Sequence, residues 1–183
     1  MKSKQRLVDW PKKALFDQIP LDDDAFGQMM AERMGLERDM ALVEMTGGRY
    51  HADNLSTALA LPVLERAKAA GLDVTAGVNV HHLTLNELDV GDYRTFFKLK
   101  PPLRSETDRM AMVDAVASGL IDIISSMHTP QDEESKRLPF EEAASGAVAL
   151  ETFLPAALRL VHAGQLTLAQ LFRAISLNPA NRL

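Results

Sequence analysis

The sequence predicts an α/β fold in which parallel strands form a sheet and helices cover it from outside. From about residue 49 onward, short strand-like runs alternate with helical segments, a pattern typical of parallel sheets with helical crossovers. The run Leu120–Ser125 is almost continuously apolar, as expected for a strand covered on both faces. Four such units would make half of an eight-unit barrel, whose function lies at the carboxyl ends of its strands.

The first helices follow from apolar spacing. Phenylalanine and methionine side chains recur at helical spacing over Ala25–Met34, and Gly35 is expected to end that helix. A second helix is predicted over Glu37–Thr46, with Gly47 and Gly48 as its stop.

The next unit begins with a short strand over Arg49–Asp53. A helix then runs to Ala70 and begins near Leu61, because Pro62 suits a first helical turn and would kink a helix interior. The valine-rich run Leu72–Val80 is the second strand.

The remaining elements complete the predicted half-barrel. Tyr93–Leu99 is the third strand, and Ser105 caps a helix that ends before Gly119. The apolar run Leu120–Ser125 is the fourth strand. After it, a long helix over Ala143–Ala163 and a last helix over Thr167–Leu177 are expected.

Composition limits the possible functions. The chain has 183 residues, with 46% apolar and 25% charged residues, which fits one globular domain with a core. Its net charge of −5 argues against broad nucleic-acid binding. Without cysteine, any metal must use His, Asp, Glu or water. No run is long enough for a membrane span, so we expect a cytoplasmic protein.

Polar residues follow each predicted strand. They are Asn54, His81, His82, Lys100 and His128. A metal ligand among the adjacent pair His81 and His82 and a hydrogen-bonded loop pair are both open readings. On an extended chain only one of the two could face the barrel mouth, and His128 alone is a weak signal.

Other polar side chains favour structural roles. His51 lies inside a predicted strand and is expected to be a satisfied core histidine. The charge run Asp132–Arg137 indicates a solvated loop. Arg104 could pair with an acidic side chain of the fold or with a substrate carboxylate, and pairing within the fold is the more common case.

The end of the fourth predicted strand lacks a carboxylate. A barrel hydrolase needs one there to hold a metal and accept a proton, and the chain has Met127. A thioether does neither with a hard or borderline cation.

Several segments share their order and spacing with a known family. They are Arg49–Thr57, Val78–Leu83, Phe97–Arg109 and Leu138–Gly146, followed by Leu150–Thr152 and Asn178–Ala180. Together they resemble dihydroorotases of the cyclic amidohydrolase superfamily. The resemblance covers residues 31–183 and leaves 1–30 as a poorly matched segment.

The resemblance implies the later half of a metal-bearing (β/α)₈ barrel of the TIM type, roughly its last four units. It also implies a reaction, in which a metal-activated hydroxide opens the dihydroorotate ring and an Asp manages the proton. Residues 31–183 are then a partial barrel, and the sequence is expected to be a fragment or a shortened product.

Carried over residue by residue, the resemblance indicates a degenerate site. Asn54 stands at a position where active relatives have a metal-binding His, and Met127 at the position of the catalytic Asp. Lys100 and Gln131 replace substrate-facing Asn and His residues. His81 matches the single retained metal ligand.

These departures favour a non-catalytic, dihydroorotase-like protein of pyrimidine biosynthesis, in which the family's zinc is absent or incompletely bound. The short segments Pro130–Asp132 and Lys136–Pro139 particularly resemble an inactive group of the family that supports aspartate carbamoyltransferase, so that enzyme is an expected partner. Self-association into a homo-oligomer is also expected. Two alternatives stay open: an active zinc-dependent cyclic amide hydrolase, and a truncated fragment of one.

Overall fold

The structure is a computed structural model that describes residues 23–183. Its strands are β1 (Tyr50–Leu55), β2 (Val74–Asn79) and β3 (Ile123–Ser125). Its α-helices are α1 (Asp23–Thr46), α2 (Leu61–Ala69), α3 (Val80–Thr84), α4 (Glu106–Ser118), α5 (Glu133–Lys136), α6 (Phe153–His162), α7 (Leu168–Phe172) and α8 (Asn178–Arg182). None of the described helices is long and apolar enough to cross a membrane.

The three strands form one parallel sheet in the order β1-β2-β3. Tyr50 pairs with Val74 at the start of β1, and Gly77 pairs with Ile123 between β2 and β3. The predicted α/β fold with parallel strands and covering helices is confirmed.

The core lies between one face of the sheet and the helices. Ala76 and Val78 of β2 are fully buried there, as are Leu64 of α2, Met112 of α4 and Leu171 of α7. Burial of large apolar side chains contributes about 1.5–3 kcal/mol each, so this single layer of contacts fixes the helices on the sheet.

The alternate residues of the strands turn to the other face. Among them is His51, whose Nδ1 lies 2.8 Å from the Thr75 hydroxyl, so it is hydrogen-bonded as predicted. Its side chain is half-buried and is not part of the core, so that part of the prediction is wrong. Polar side chains on this face contrast with the apolar layers that fill a closed barrel interior.

The two helices predicted before residue 47 are one continuous helix, so the predicted stop at Gly35 is wrong. Leu36, Met40 and Val43 are buried at helical spacing, so packing carries α1 through the glycine. The cost of an interior glycine is about 0.5–1 kcal/mol, less than one buried leucine contributes.

The predicted strand over Tyr93–Leu99 does not form. The segment contains the 3₁₀ turn Thr95–Phe97, and a second 3₁₀ turn, Glu87–Val90, precedes it; both are closed by local backbone hydrogen bonds. Tyr93 and Phe96 are 73% and 69% exposed, so this aromatic run lies on the surface and not in the sheet. The described part of the chain therefore has three strands.

The predicted long helix over Ala143–Ala163 is also wrong, because α6 begins only at Phe153. Gly146 has a φ of +136°, and Ala147 pairs in parallel with His128. These tertiary contacts keep residues 144–149 out of a helix, and a turn over residues 150–152 leads into α6. Pro155 falls in the first turn of α6, where proline is tolerated.

Other helix signals were read correctly. Ser105 accepts a hydrogen bond from the Asp108 N–H at 3.2 Å and caps α4, and α2 begins at Leu61 with Pro62 in its first turn.

The prediction of a solvated loop over Asp132–Arg137 is wrong, because this segment contains the short helix α5. Lys136 is buried, and its ammonium group donates hydrogen bonds to two backbone carbonyls.

The proposed domain limits at residues 30 and 31 stay a prediction. The sequence also predicts an irregular segment over residues 1–24, which is wrong for Asp23 and Asp24, because α1 begins at Asp23; residues 1–22 lie outside the described residues.

Alanine substitutions at two glycines test the backbone conformation that the structure assigns to each. Gly35 lies inside α1, whereas Gly119 ends α4 with a φ of +81°, and a Cβ at either site would meet no atom within 4 Å. We expect Gly35→Ala to raise the free energy of unfolding by about 0.5–1 kcal/mol. Gly119→Ala should lower it by about 1 kcal/mol, because alanine is strained at positive φ. Urea denaturation measures both, and equal signs would contradict the helix assignment.

Candidate functional site

A cavity of about 730 Å³ opens beside the carboxyl end of β1. Its walls come from the first turns of α1, from the end of β1, and from the segment that connects α3 to α4. Asn54 and Lys100 both line it, so the structure brings together two residues that the sequence singled out.

Glu32 joins α1 to the end of β1 at this cavity. Its carboxylate accepts hydrogen bonds from the Ser56 N–H at 2.7 Å and the Thr57 N–H at 3.2 Å. It also accepts one from the Ser56 hydroxyl at 2.5 Å. Ser56 and Thr57 are buried, where unpaired donors are costly, so this contact fixes the path of the chain after β1.

Arg104 extends this arrangement from the segment before α4. Its Nε donates to the Ser56 hydroxyl oxygen at 3.1 Å, and its Nη2 lies 3.8 Å from a Glu32 carboxylate oxygen. The guanidinium is buried. Arg104 therefore pairs within the fold, as the sequence favoured.

Asp108 completes the set from the first turn of α4. One carboxylate oxygen accepts from the Thr57 hydroxyl at 3.1 Å and from the Ala58 N–H at 2.8 Å. The other accepts from the Ser105 hydroxyl at 2.6 Å. We call the five residues Glu32, Ser56, Thr57, Arg104 and Asp108 the strand-end network.

Asn54 lies on a β-bulge immediately before this network. The register between β1 and β2 shifts between Ala52 and Leu55, and Asn54 has a φ of +60°. Its Nδ2 donates to the Lys100 carbonyl at 3.4 Å, while its Oδ1 is buried without a hydrogen-bond partner. Bulges change the direction of side chains next to functional sites. The side chain that this bulge positions is the amide of Asn54, which makes a long hydrogen bond to the Lys100 carbonyl and is a poor metal ligand.

The adjacent histidines follow β2 on the short helix α3, not on an extended chain. The N–H of His81 donates to the Asn79 side chain at 2.8 Å, and the His81 Nε2 is buried without a partner. Burial lowers the pKa of His81, which keeps the ring neutral and available to a metal. The assignment of His81 as a ligand stays a prediction.

His82 is held by contacts within the fold. It is buried, its Nε2 lies 3.1 Å from the Pro102 carbonyl, and burial lowers its pKa to about 4. The contact requires Nε2 to carry the proton, and it ties α3 to the proline pair beside the cavity. This favours the hydrogen-bonded reading for His82.

Met127 lies two residues after the end of β3 and has a φ of +44°. Positive φ is uncommon for a long side chain and better tolerated by Asn or Asp. His128 follows, and its Nδ1 accepts from the N–H groups of Ala149 and Leu150 at 2.9 and 3.1 Å. His128 thus holds the segment before α6, a role that its position after a strand did not reveal.

Gln131 and Met127 are not among the residues that line the cavity. Gln131 is exposed beside Gly146, where an added Cβ would lie 3.1 Å from its Nε2 and 2.5 Å from the Thr129 carbonyl. Lys100 lines the cavity and Gln131 does not, and the predicted substrate-binding role of neither residue is tested by the geometry.

Within residues 23–183, no three His, Asp or Glu side chains are grouped as metal ligands would be. Zinc sites in proteins need at least three such ligands. The described donor set, with one unpaired imidazole nitrogen on His81 and an amide at Asn54, therefore does not fit a zinc centre.

The sequence reading missed Glu32, the centre of the network. Glu32 precedes β1 by a whole helix, and its partners at Ser56 and Arg104 are far from it in sequence. The helical spacing of α1 places it one turn from Leu36 and Gln28, but spacing does not reveal a buried polar partner.

The chain was compared with known proteins. No family model matches it. A dihydroorotase of Ehrlichia canis is 40% identical over 153 residues, which cover 83% of this chain and 34% of that protein. A dihydroorotase of Anaeromyxobacter dehalogenans is 45% identical over 152 residues, covering 82% and 35%. The chain thus spans about a third of the length of these relatives.

Solved structures agree on the fold. An L-hydantoinase from Arthrobacter aurescens matches with a TM-score of 0.78 and 26% identity, covering 82% of this chain and 34% of that one. A dihydropyrimidinase from Brevibacillus agri matches with a TM-score of 0.74 at 22% identity, covering 81% and 34%. These likenesses support the amidohydrolase superfamily and confirm the predicted partial barrel.

The network generates a stability prediction. Glu32→Ala should lower the free energy of unfolding by about 3 kcal/mol, because it leaves Arg104 as an unpaired buried charge and orphans the N–H groups of Ser56 and Thr57. Urea denaturation measures the loss. The control Glu44→Ala, on an exposed turn of the same helix, should change stability by less than about 0.5 kcal/mol. Equal effects of the two variants would refute the network.

His82 predicts a pH dependence of stability. Its pKa is about 4 in the folded chain and 6.5 ordinarily, so between these values the unfolded chain binds a proton that the folded chain does not. Stability should therefore be fully present above pH 6.5 and fall as the pH drops toward 4, by about 3 kcal/mol. His82→Gln should remove this part of the slope, measured by urea denaturation at several pH values.

The control for this measurement is His162→Gln, at an exposed position, which should leave the profile unchanged. A slope of the same size in His82→Gln and in the unmodified chain would assign the pH dependence to other groups.

Proposed function

We propose that this chain is a dihydroorotase-like protein of pyrimidine biosynthesis whose role is structural and whose metal site is incomplete. The observation that carries the proposal is the pair Asn54 and Met127 at the ends of β1 and β3. There a metal-dependent hydrolase needs an imidazole ligand and a carboxylate.

The chemistry of these side chains supports the proposal. An amide is a poor zinc ligand, and a thioether prefers soft cations and takes no proton. Loss of a positioned acid or base alone costs about 10²–10⁴ in rate. With Asn54 and Met127 in place, His81 is the one predicted ligand that remains, and a single ligand does not hold a catalytic zinc ion.

The surrounding scaffold supports the same reading. The matched segments contain four of the five residues of the strand-end network, all except Glu32, and the network side chains hydrogen-bond to one another in the fold. These contacts form without a bound metal. We therefore infer that the chain has the fold of a cyclic amide hydrolase without its catalytic activity.

A second candidate function is an active zinc-dependent cyclic amide hydrolase that takes its missing ligands from chain outside residues 23–183. The unpaired Nε2 of His81 and Oδ1 of Asn54 favour it, because buried polar atoms usually have partners. A fragment of such an enzyme is the simplest form of this candidate, since the curated relatives are about three times as long.

Partners and location belong to the same proposal. A structural role in the pathway requires an enzyme to support, and aspartate carbamoyltransferase is the partner that we propose. Both outer edges of the described sheet, on β1 and β3, have no strand beside them, which favours self-association. A cytoplasmic location is proposed with the pathway.

Zinc content and ring opening test the proposal. We expect the purified chain, dialysed against zinc, to retain much less than one equivalent by elemental analysis and to hydrolyse dihydroorotate no faster than a blank. The variant Asn54→His/Met127→Asp restores one imidazole and one carboxylate, and it should bind more zinc than the unmodified chain.

The matched control is Leu42→His/Met45→Asp, which adds the same side chains to exposed positions of α1. It should leave zinc binding unchanged. Stoichiometric zinc with turnover in the unmodified chain would refute the structural role and favour the second candidate.

A further inference from the structure

Three large apolar side chains lie exposed in the surface segment that connects α3 to α4. Leu88, Tyr93 and Phe96 are 79%, 73% and 69% exposed. Single exposed apolar side chains are ordinary on a protein surface, whereas a group of them marks a contact surface. We call residues 87–98, together with residues 132–142 that lie beside them, the acidic aromatic face.

The two parts of the acidic aromatic face are joined by side chains from both. The Lys136 Nζ donates to the Thr95 carbonyl at 2.9 Å, and the Lys98 Nζ donates to the Phe140 carbonyl at 2.6 Å. The rings of Tyr93 and Phe140 meet edge to face, with 5.6 Å between their centroids. A surface that is fixed in this way loses little conformational freedom when a partner binds.

Tyr93 has an uncommon backbone conformation. Its φ is +54°, in the left-handed region where a bulky side chain is an outlier. Its ring is nevertheless exposed, so core packing does not account for a tyrosine at this position. Sparsely populated backbone conformations cluster at sites that bind other molecules, and an external contact explains this tyrosine better than folding does.

The face also has most of the net negative charge of the chain. Residues 87–98 and 132–142 contain eight acidic and four basic side chains, a net charge of −4, compared with −5 for all 183 residues. Five exposed carboxylates of the face form no ion pair with any of residues 23–183. They are Glu87, Asp92, Glu134, Glu141 and Glu142.

The four basic side chains of the face do not neutralise these carboxylates, because each has another contact. Arg94 lies over the Phe97 ring, with 4.6 Å between its Cζ and the ring centroid. Lys98 and Lys136 donate to backbone carbonyls, and Arg137 pairs with a glutamate of α5. The surface that a partner meets is therefore apolar at Tyr93 and Phe96 and acidic around them.

This combination defines the chemistry of the partner. Unpaired carboxylates repel nucleic acids and anionic lipid surfaces, and they attract a basic protein surface. Aromatic side chains at the centre of an interface contribute much of its binding energy when apolar groups of the partner cover them. A basic surface with apolar side chains at its centre therefore complements this face.

We propose that the acidic aromatic face is a docking surface for a protein partner that presents lysine or arginine side chains around apolar ones. Tyr93 and Phe96 supply the apolar contact, and the unpaired carboxylates orient the basic partner. The inference goes beyond the proposed function, because it does not rest on which enzyme the partner is or on whether this chain hydrolyses a substrate.

A synthetic peptide tests this chemistry on the full chain. The probe is a fluorescein-labelled helix of about 18 lysine and leucine residues, with the leucines on one face. We expect saturable binding by fluorescence anisotropy, and Tyr93→Asn/Phe96→Ala should weaken it by about tenfold or more. Asparagine tolerates positive φ, so urea denaturation should show that this double variant is as stable as the unmodified chain.

The matched control is Met34→Ala/Met45→Ala, which removes two exposed apolar side chains of α1 and should leave the dissociation constant unchanged. A glutamate–leucine peptide of the same spacing should not bind. Absence of saturable binding by the basic peptide, equal binding of the acidic peptide, or equal weakening by the two double variants would each overturn the proposal.

The contribution of charge is tested separately. Glu141→Gln/Glu142→Gln should weaken binding of the basic peptide several-fold and reduce its dependence on salt, because salt screens exposed charges. The control Glu65→Gln/Glu151→Gln, at exposed positions outside the face, should change neither. An affinity that depends on neither salt nor Glu141 and Glu142 would overturn the proposal.

Sedimentation velocity of the unmodified chain distinguishes another occupant. We expect the Tyr93→Asn/Phe96→Ala variant to sediment as the unmodified chain does. Self-association that this variant abolishes would identify a second copy of the chain as the occupant of the face, and it would overturn the assignment to a basic partner.

Discussion

The Glu32 carboxylate is the contact on which the cavity side of this fold depends. It is held by three hydrogen bonds from Ser56 and Thr57 and faces the buried guanidinium of Arg104. Through these residues one side chain of α1 fixes the end of β1 and the entry to α4. A buried polar cluster of this kind is stabilising only when every member is satisfied, so its residues are constrained together.

The residues of the strand-end network and the candidate site residues differ in what they contribute to the fold. The network residues are needed to fold the strand ends whether or not a metal is bound. Asn54 and Met127 carry no comparable contacts, although both keep the positive φ that a special backbone geometry requires. Positive φ is uncommon for a long side chain such as that of Met127, and sparsely populated backbone conformations cluster at functional sites.

Sequence patterns predicted the parts of the fold that local physics decides. The cap at Ser105, the proline start of α2 and the parallel strands β1 and β2 follow from short-range signals, and the structure has them. The aromatic run at Tyr93–Leu99 failed as a strand because exposure cannot be read from apolar composition. The helix expected over Ala143–Ala163 failed because His128, far away in sequence, holds its first residues extended.

The candidate site was predictable to a similar extent. The sequence predicted Asn54 and Lys100 at strand ends, and both line the cavity. The role of Glu32, and that of His128 in holding the segment before α6, can be seen only from contacts in the folded structure. Anomalous diffraction at the zinc edge, on crystals grown with zinc, tests the central claim most directly. The account predicts no ordered zinc at the ends of β1 and β3. A zinc peak bonded to His81 and further side chains of this chain would contradict it.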